Sequence, residues 1–69
     1  MSNWEYLYVE LDYDDNEKPH PRYSNGQELQ GWQRMTLHEY SNWLGQQGWE
    51  LAASSDEGFL IFKRPSSGF

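Results

Sequence analysis

The sequence predicts an α+β fold: a small β-β-α-β-β domain with one helix packed on a three- to five-stranded antiparallel or mixed sheet. Three observations predict it. Thr36 to Leu51, TLHEYSNWLGQQGWEL, carries both helix start and helix stop signals. The segments flanking it are rich in aromatic and β-branched residues at strand period. Between the first of these and the helix, Asn25-Gly26 supplies a hairpin signal of type I′.

Asn3 to Tyr13, NWEYLYVELDY, reads as the first strand. Alternation puts Trp4, Tyr6 and Tyr8 on one face and Leu7, Val9 and Leu11 on the other, so both faces are apolar. One helix covers one face of a small sheet, and the second face then needs another layer or a partner. Asp14 to Pro21 reads as a turn or loop, because its prolines donate nothing to a ladder. Arg22–Ser24 and Gln27–Leu29 read as short strands around Asn25-Gly26, and Gln30 to Met35 as a linker anchored by Trp32.

Thr36 and Glu39 have the spacing of a capping box, with Met35 and Tyr40 available as a hydrophobic staple. Leu37, Tyr40, Trp43 and Leu44 share one face. Gly48 suits the left-handed residue after the helix, and Trp49 can fold back as a Schellman motif requires. Gly45 costs about 1 kcal/mol relative to Ala inside a helix, which predicts a close approach to the sheet there. Tyr40, Trp43 and Trp49 are expected in the core. Glu50 to Ser54 is a strand, Ser55 to Gly58 a turn, and Phe59 to Arg64 the last strand, apolar on both faces. The domain is expected to span 1–65, with 66–69 a flexible tail.

The run Leu44-Gly45-Gln46-Gln47-Gly48-Trp49-Glu50-Leu51 resembles the L-G-x-x-G-W-E-L core of a family of small bacterial and phage proteins, domain-of-unknown-function family 4177. The opening Trp4-Glu5-Tyr6 and the closing Phe59-Leu60-Ile61-Phe62-Lys63-Arg64-Pro65 are similar to that family's first and last strands. The segment Asp12 to Met35 departs from it in being longer. The resemblance implies a strand-helix-strand fold and transfers no functional residue. It also implies that Trp4, Tyr6 and Tyr8 face the helix, since the family's alternate positions are often charged.

Sixty-nine residues make one domain, near the size at which a single core barely suffices. Without cysteine, neither disulfides nor thiolate metal sites are available. Four Trp, five Tyr and three Phe compensate, and rings that do not fit inside belong at an interface. Eleven acidic against five basic residues give a formal charge of −6. That balance argues against nucleic-acid polymers and anionic membranes, both of which reward basic patches. With no apolar run of membrane-spanning length, the expectation is a cytoplasmic protein.

Candidate chemistry is sparse. The carboxylates Asp12, Asp14, Asp15 and Glu17 could suit a hard cation, but Glu17 stands where a calcium loop needs Gly and Tyr23 where it needs Glu. A solvated hairpin loop fits better. His20 and His38 lack a second ligand at zinc spacing. No nucleophile elbow, phosphate loop or dinucleotide fingerprint occurs, so no catalytic residue, cofactor or metal is assigned.

The expected function is a non-enzymatic protein-interaction or regulatory module that forms a homodimer or higher homo-oligomer and binds another protein. Its interface is expected at Leu7, Val9, Leu11, Leu60 and Phe62, because the first and last strands are apolar on both faces and Leu7 and Val9 stand where the resembled family is often charged. The alternative is a small-molecule or nucleotide sponge or sensor at a subunit interface. In it, Tyr8, Tyr23 and Trp32 supply stacking surfaces and Arg22, Arg34 and Arg64 supply anion contacts.

Overall fold

β1 (Trp4–Tyr13) is the central strand of an antiparallel five-stranded sheet, and each other element is placed by what it pairs with or covers. The computed structural model describes residues 3–66. β2 (Pro19–Ser24) and β3 (Gln27–Glu28) lie on one side of β1. β5 (Phe59–Pro65) and then β4 (Glu50–Ser55) lie on the other, in the order β3-β2-β1-β5-β4. A 3-10 turn (Trp32–Arg34) leads into α1 (Leu37–Gln46). The α+β class and the strands-helix-strands order are those the sequence predicts, and every strand pair is antiparallel.

The helix ends as its local sequence dictates. The Thr36 hydroxyl accepts from the Glu39 N–H at 3.0 Å and donates to the Glu39 carboxylate at 2.8 Å. The carboxylate therefore meets the Thr36 hydroxyl rather than its backbone N–H. At the far end Gly48 takes φ 89°, the Trp49 N–H donates to the Leu44 carbonyl and the Gly48 N–H to the Gly45 carbonyl. Those two bonds complete the Schellman motif. Gly45 itself is exposed, and a Cβ added there meets nothing within 4 Å. The expected close approach to the sheet does not occur, because Gly45 lies on the solvent side of α1.

β2 begins inside the segment read as a loop. Pro19 pairs with Tyr13 and Pro21 with Leu11. Both prolines are tolerated because β3 covers only Tyr23 and Ser24, so the start of β2 is an edge strand with no outer ladder to feed. Asn25 (φ 50°) and Gly26 (φ 84°) are both left-handed, as a type I′ turn demands.

The core reverses one expectation. Leu7, Val9 and Phe62 are buried with Tyr40 and Leu44 of α1, with Val9 0% and Leu44 1% exposed. Leu11, Leu29, Met35, Trp49 and Leu60 pack around them. The Leu7–Val9–Leu11 face therefore meets the helix, and Trp4, Tyr6 and Tyr8 face away from it. Leu7 and Val9 pack with Tyr40, Leu44 and Phe62 on the helix side, while the rings with polar tips keep contact with water. Trp43, expected in the core, is 53% exposed and stacks on Tyr40 at 5.9 Å.

Candidate binding surfaces

Two surfaces and one polar cluster stand out, and the sheet separates the two surfaces. The first is the face without a helix. In the β1–β5 register Tyr6 lies opposite Lys63, Tyr8 opposite Ile61 and Glu10 opposite Phe59, so these side chains share that face. Ala53 extends it beside Ile61. Trp4, Tyr6 and Tyr8 are all exposed, Tyr6 by 59%. Tyr8 stacks on Phe59 at 4.9 Å, and the Lys63 ammonium lies 4.4 Å from the Trp4 ring centre. An antiparallel sheet that turns one face to water ordinarily presents polar residues there. Here the outer face of the central strand is a row of rings.

The second surface is an open cavity of about 540 Å³ on the opposite side of the sheet, alongside α1, with the exposed Glu39 and Trp43 at its mouth. Leu7 and Leu44 form part of its wall, with Leu29 and Met35 beside them. Tyr40, Trp43 and Trp49 add aromatic surface, while Ser24 and Glu39 are its polar members. Its sides are held by polar contacts. The Met35 carbonyl accepts from His20 Nδ1 at 2.7 Å, and the Arg64 guanidinium lies 4.3 Å from the Trp49 ring. Arg64 is fixed in turn by Glu5 and by the Gln47 carbonyl at 2.8 Å.

The polar cluster surrounds the β1–β2 hairpin. Asp14 Oδ1 accepts from the backbone N–H groups of Asn16 (2.8 Å) and Lys18 (3.0 Å), and its Oδ2 accepts from His20 Nε2 at 2.8 Å. Both nitrogens of the buried His20 ring thus face acceptors, an arrangement that the doubly protonated ring satisfies at both ends. The Asp14 bond first, and the Met35 carbonyl second, raise the His20 pKa above 6.5. The same His20 bond, with the backbone N–H bonds, lowers Asp14 below 3.8. Arg22, the extra residue at the register shift opposite Glu10 and Leu11, donates to Asp12 (2.6 Å) and Glu28 (3.0 Å). Its bond to Arg22 lowers the Asp12 pKa, helped by the Tyr13 N–H. Asp14 and Asp12 therefore serve internal bonds, and among the described residues no group of three or more metal-ligating side chains converges.

The expected interface set is not at the surface. Leu7, Val9 and Phe62 are core, while Leu11 and Leu60 are half-buried against it. The expected ligand set divides into separate places. Arg22 lies over Trp32 (4.7 Å) and Tyr23 (5.4 Å), but its fork is already spent on two carboxylates. Arg64 belongs with Glu5 near the start of β1, about 17 Å along the strand from Glu10. Tyr8 is on the outer face, and Arg34 is exposed at the end of the 3-10 turn. No arginine lines the cavity. Sequence reasoning missed the cavity and the His20 clamp. The clamp's only sequence signal is an acceptor six residues before a histidine across a hairpin.

No family model, curated protein or solved structure matches the chain. Among the described residues no helix is long and apolar enough to cross a membrane.

Proposed function

We propose that the protein is a non-enzymatic interaction module that self-associates by packing the uncovered face of its sheet on the same face of a second copy. One observation carries this reading: the central strand turns Trp4, Tyr6 and Tyr8 to solvent while the aliphatic side of that strand is satisfied by α1. Tyr and Trp are the side chains that interfaces favour, because they bury large area at low entropic cost. Two such faces form a sandwich with the geometry of two aligned sheets.

Charge supports a twofold arrangement. Lys63, which within its own chain lies 3.7 Å from the exposed Glu50 carboxylate, is toward the Trp4 end of the face and Glu10 toward the other. A twofold axis lying in the interface across the strands sets each lysine against the glutamate of the other copy. The likeness to domain-of-unknown-function family 4177, and the bacterial or phage origin it implies, belong to the same proposal. So does a cytoplasmic location, which the acidic and cysteine-free composition supports. The charge of −6 favours a protein partner over a nucleic-acid polymer or membrane.

The test is absolute mass by light scattering behind a sizing column, from micromolar to millimolar protein. The wild type is expected to be a dimer. Tyr6→Glu, whose new carboxylate faces Lys63 across the strands, is expected to fold and to remain a monomer. A wild type that stays monomeric throughout removes the proposal.

A further inference from the structure

We propose that the cavity alongside α1 is a binding site for a neutral, largely apolar small molecule with an aromatic body. The site lies on the other side of the sheet from the self-association face, and the inference does not rest on that reading.

Size comes first. At about 540 Å³ the space is several times the ~150 Å³ hole left by deleting a large core side chain, and it falls within the 300–1,000 Å³ usual for ligand pockets. Shape is maintained without an occupant. On one side the His20 ring clamps the Met35 carbonyl, and on another Arg64 backs Trp49, whose N–H is locked by the Schellman bond to Leu44. These contacts oppose collapse of the walls, so part of the ordering cost of binding is already met.

Chemistry then selects the occupant. The walls are aliphatic and aromatic, and among the described residues no cation lines them. The charged member is Glu39, and its carboxylate already accepts the Thr36 hydroxyl. An anion placed here would lose its hydration with no donor of positive charge to replace it, in a protein of formal charge −6. Nucleotides and acidic metabolites are therefore excluded from this pocket. Tyr40 and Trp43, stacked on each other, and Trp49 supply faces for a flat ring system, and the Ser24 hydroxyl is a polar contact that can orient it.

The experiment is a fluorescence titration of the full chain with two probes of one ring skeleton, N-phenyl-1-naphthylamine and its sulfonated analogue 1-anilinonaphthalene-8-sulfonate. Saturable one-to-one binding of the neutral probe is expected, at least tenfold tighter than binding of the sulfonate. Ser24→Phe, which grows from β2 into the space, is expected to abolish it, and Leu29→Phe to do the same from the neighbouring wall. Each variant is first checked for native circular dichroism, and either one folded suffices. Tyr6→Glu, on the other face, is expected to bind the probe normally, so loss of self-association and loss of binding are separable. The proposal is overturned by no saturable binding of the neutral probe, by equal binding of the sulfonate, or by unchanged binding in a folded filling variant. Neutral-probe binding that weakens as protein concentration rises also overturns it, because the cavity then belongs to a second copy.

Discussion

His20 and Asp14 are joined by a hydrogen bond of 2.8 Å between ring Nε2 and carboxylate Oδ2, at the point where the β1–β2 hairpin meets the entry to α1. The other ring nitrogen holds the Met35 carbonyl, so one histidine ring ties the hairpin loop to the residue before the helix cap. The bond between His20 and Asp14 fixes where the helix begins relative to the sheet, and with it one wall of the cavity.

Stability is expected to peak in mildly acidic solution. The His20 pKa is raised above 6.5, so its contribution is complete below that value and is lost as pH rises through the folded pKa. The Asp14 pKa is lowered from 3.8, so its contribution is present above that value and is lost as pH falls through the folded pKa. Thermal unfolding followed from pH 3 to 9 should therefore show a maximum of Tm between about 4 and 6.5. In His20→Phe the alkaline decline should flatten and the maximum should fall. A variant that kept the wild-type decline would show that another group titrates.

Gly45→Ala is expected to stabilise the protein by about 1 kcal/mol. The position is helical, exposed and open around a new Cβ, so the substitution removes unfolded-state entropy with nothing to clash. Urea unfolding measures it. Loss of stability would mean that α1 sits closer to a neighbour than the structure places it.

Leu44→Ala and Tyr6→Ala should separate core from surface. Leu44 is fully buried, and its truncation is expected to cost about 2–5 kcal/mol, comparable with the roughly 3–5 kcal/mol a domain of this size gains from its single core. That variant should be largely unfolded at 25 °C by circular dichroism. Tyr6→Ala removes a ring that is mostly exposed, and in the monomer it should cost no more than about 0.5 kcal/mol. Its effect should instead be a weaker dimer by light scattering.

Asn25 does more than turn the chain. Its side-chain oxygen accepts from the Tyr8 N–H and its own N–H donates to the Tyr8 carbonyl, both at 2.8 Å. It thereby extends the ladder past the last paired residue of β2. Asn25→Ala loses the side-chain bond and a residue type that tolerates φ 50° better than Ala, and is expected to cost about 1–2 kcal/mol in urea unfolding. Asn25→Gly should recover part of it, because glycine restores the turn conformation but not the bond.

Features held by near neighbours were legible in the residues. Thr36 and Glu39 cap the helix, Gly48 and Trp49 close it, and Asn25-Gly26 turns the hairpin, each through contacts a few positions apart. The extended segments were equally plain, since aromatic and β-branched runs suit a pleated backbone whichever way they face. The tail expected at 66–69 lies outside the described residues except for Ser66, whose N–H donates to the Asn3 carbonyl.

The choice of face was not legible. Trp4, Tyr6 and Tyr8 alternate with Leu7, Val9 and Leu11, and a period of two cannot rank two apolar faces. Only packing decides it: Leu7 and Val9 fill the space beneath Tyr40 and Leu44 beside Phe62, and the aromatic row is left outside. The same holds for Gly45 and Trp43, whose surroundings depend on how α1 is rotated over the sheet. It holds most for the open cavity, lined by residues from Leu7 to Trp49 that meet only in three dimensions. Local chemistry specifies where a helix or turn begins and ends. Which surface it buries and what space it leaves depend on contacts between distant parts of the chain, which alternation alone does not encode.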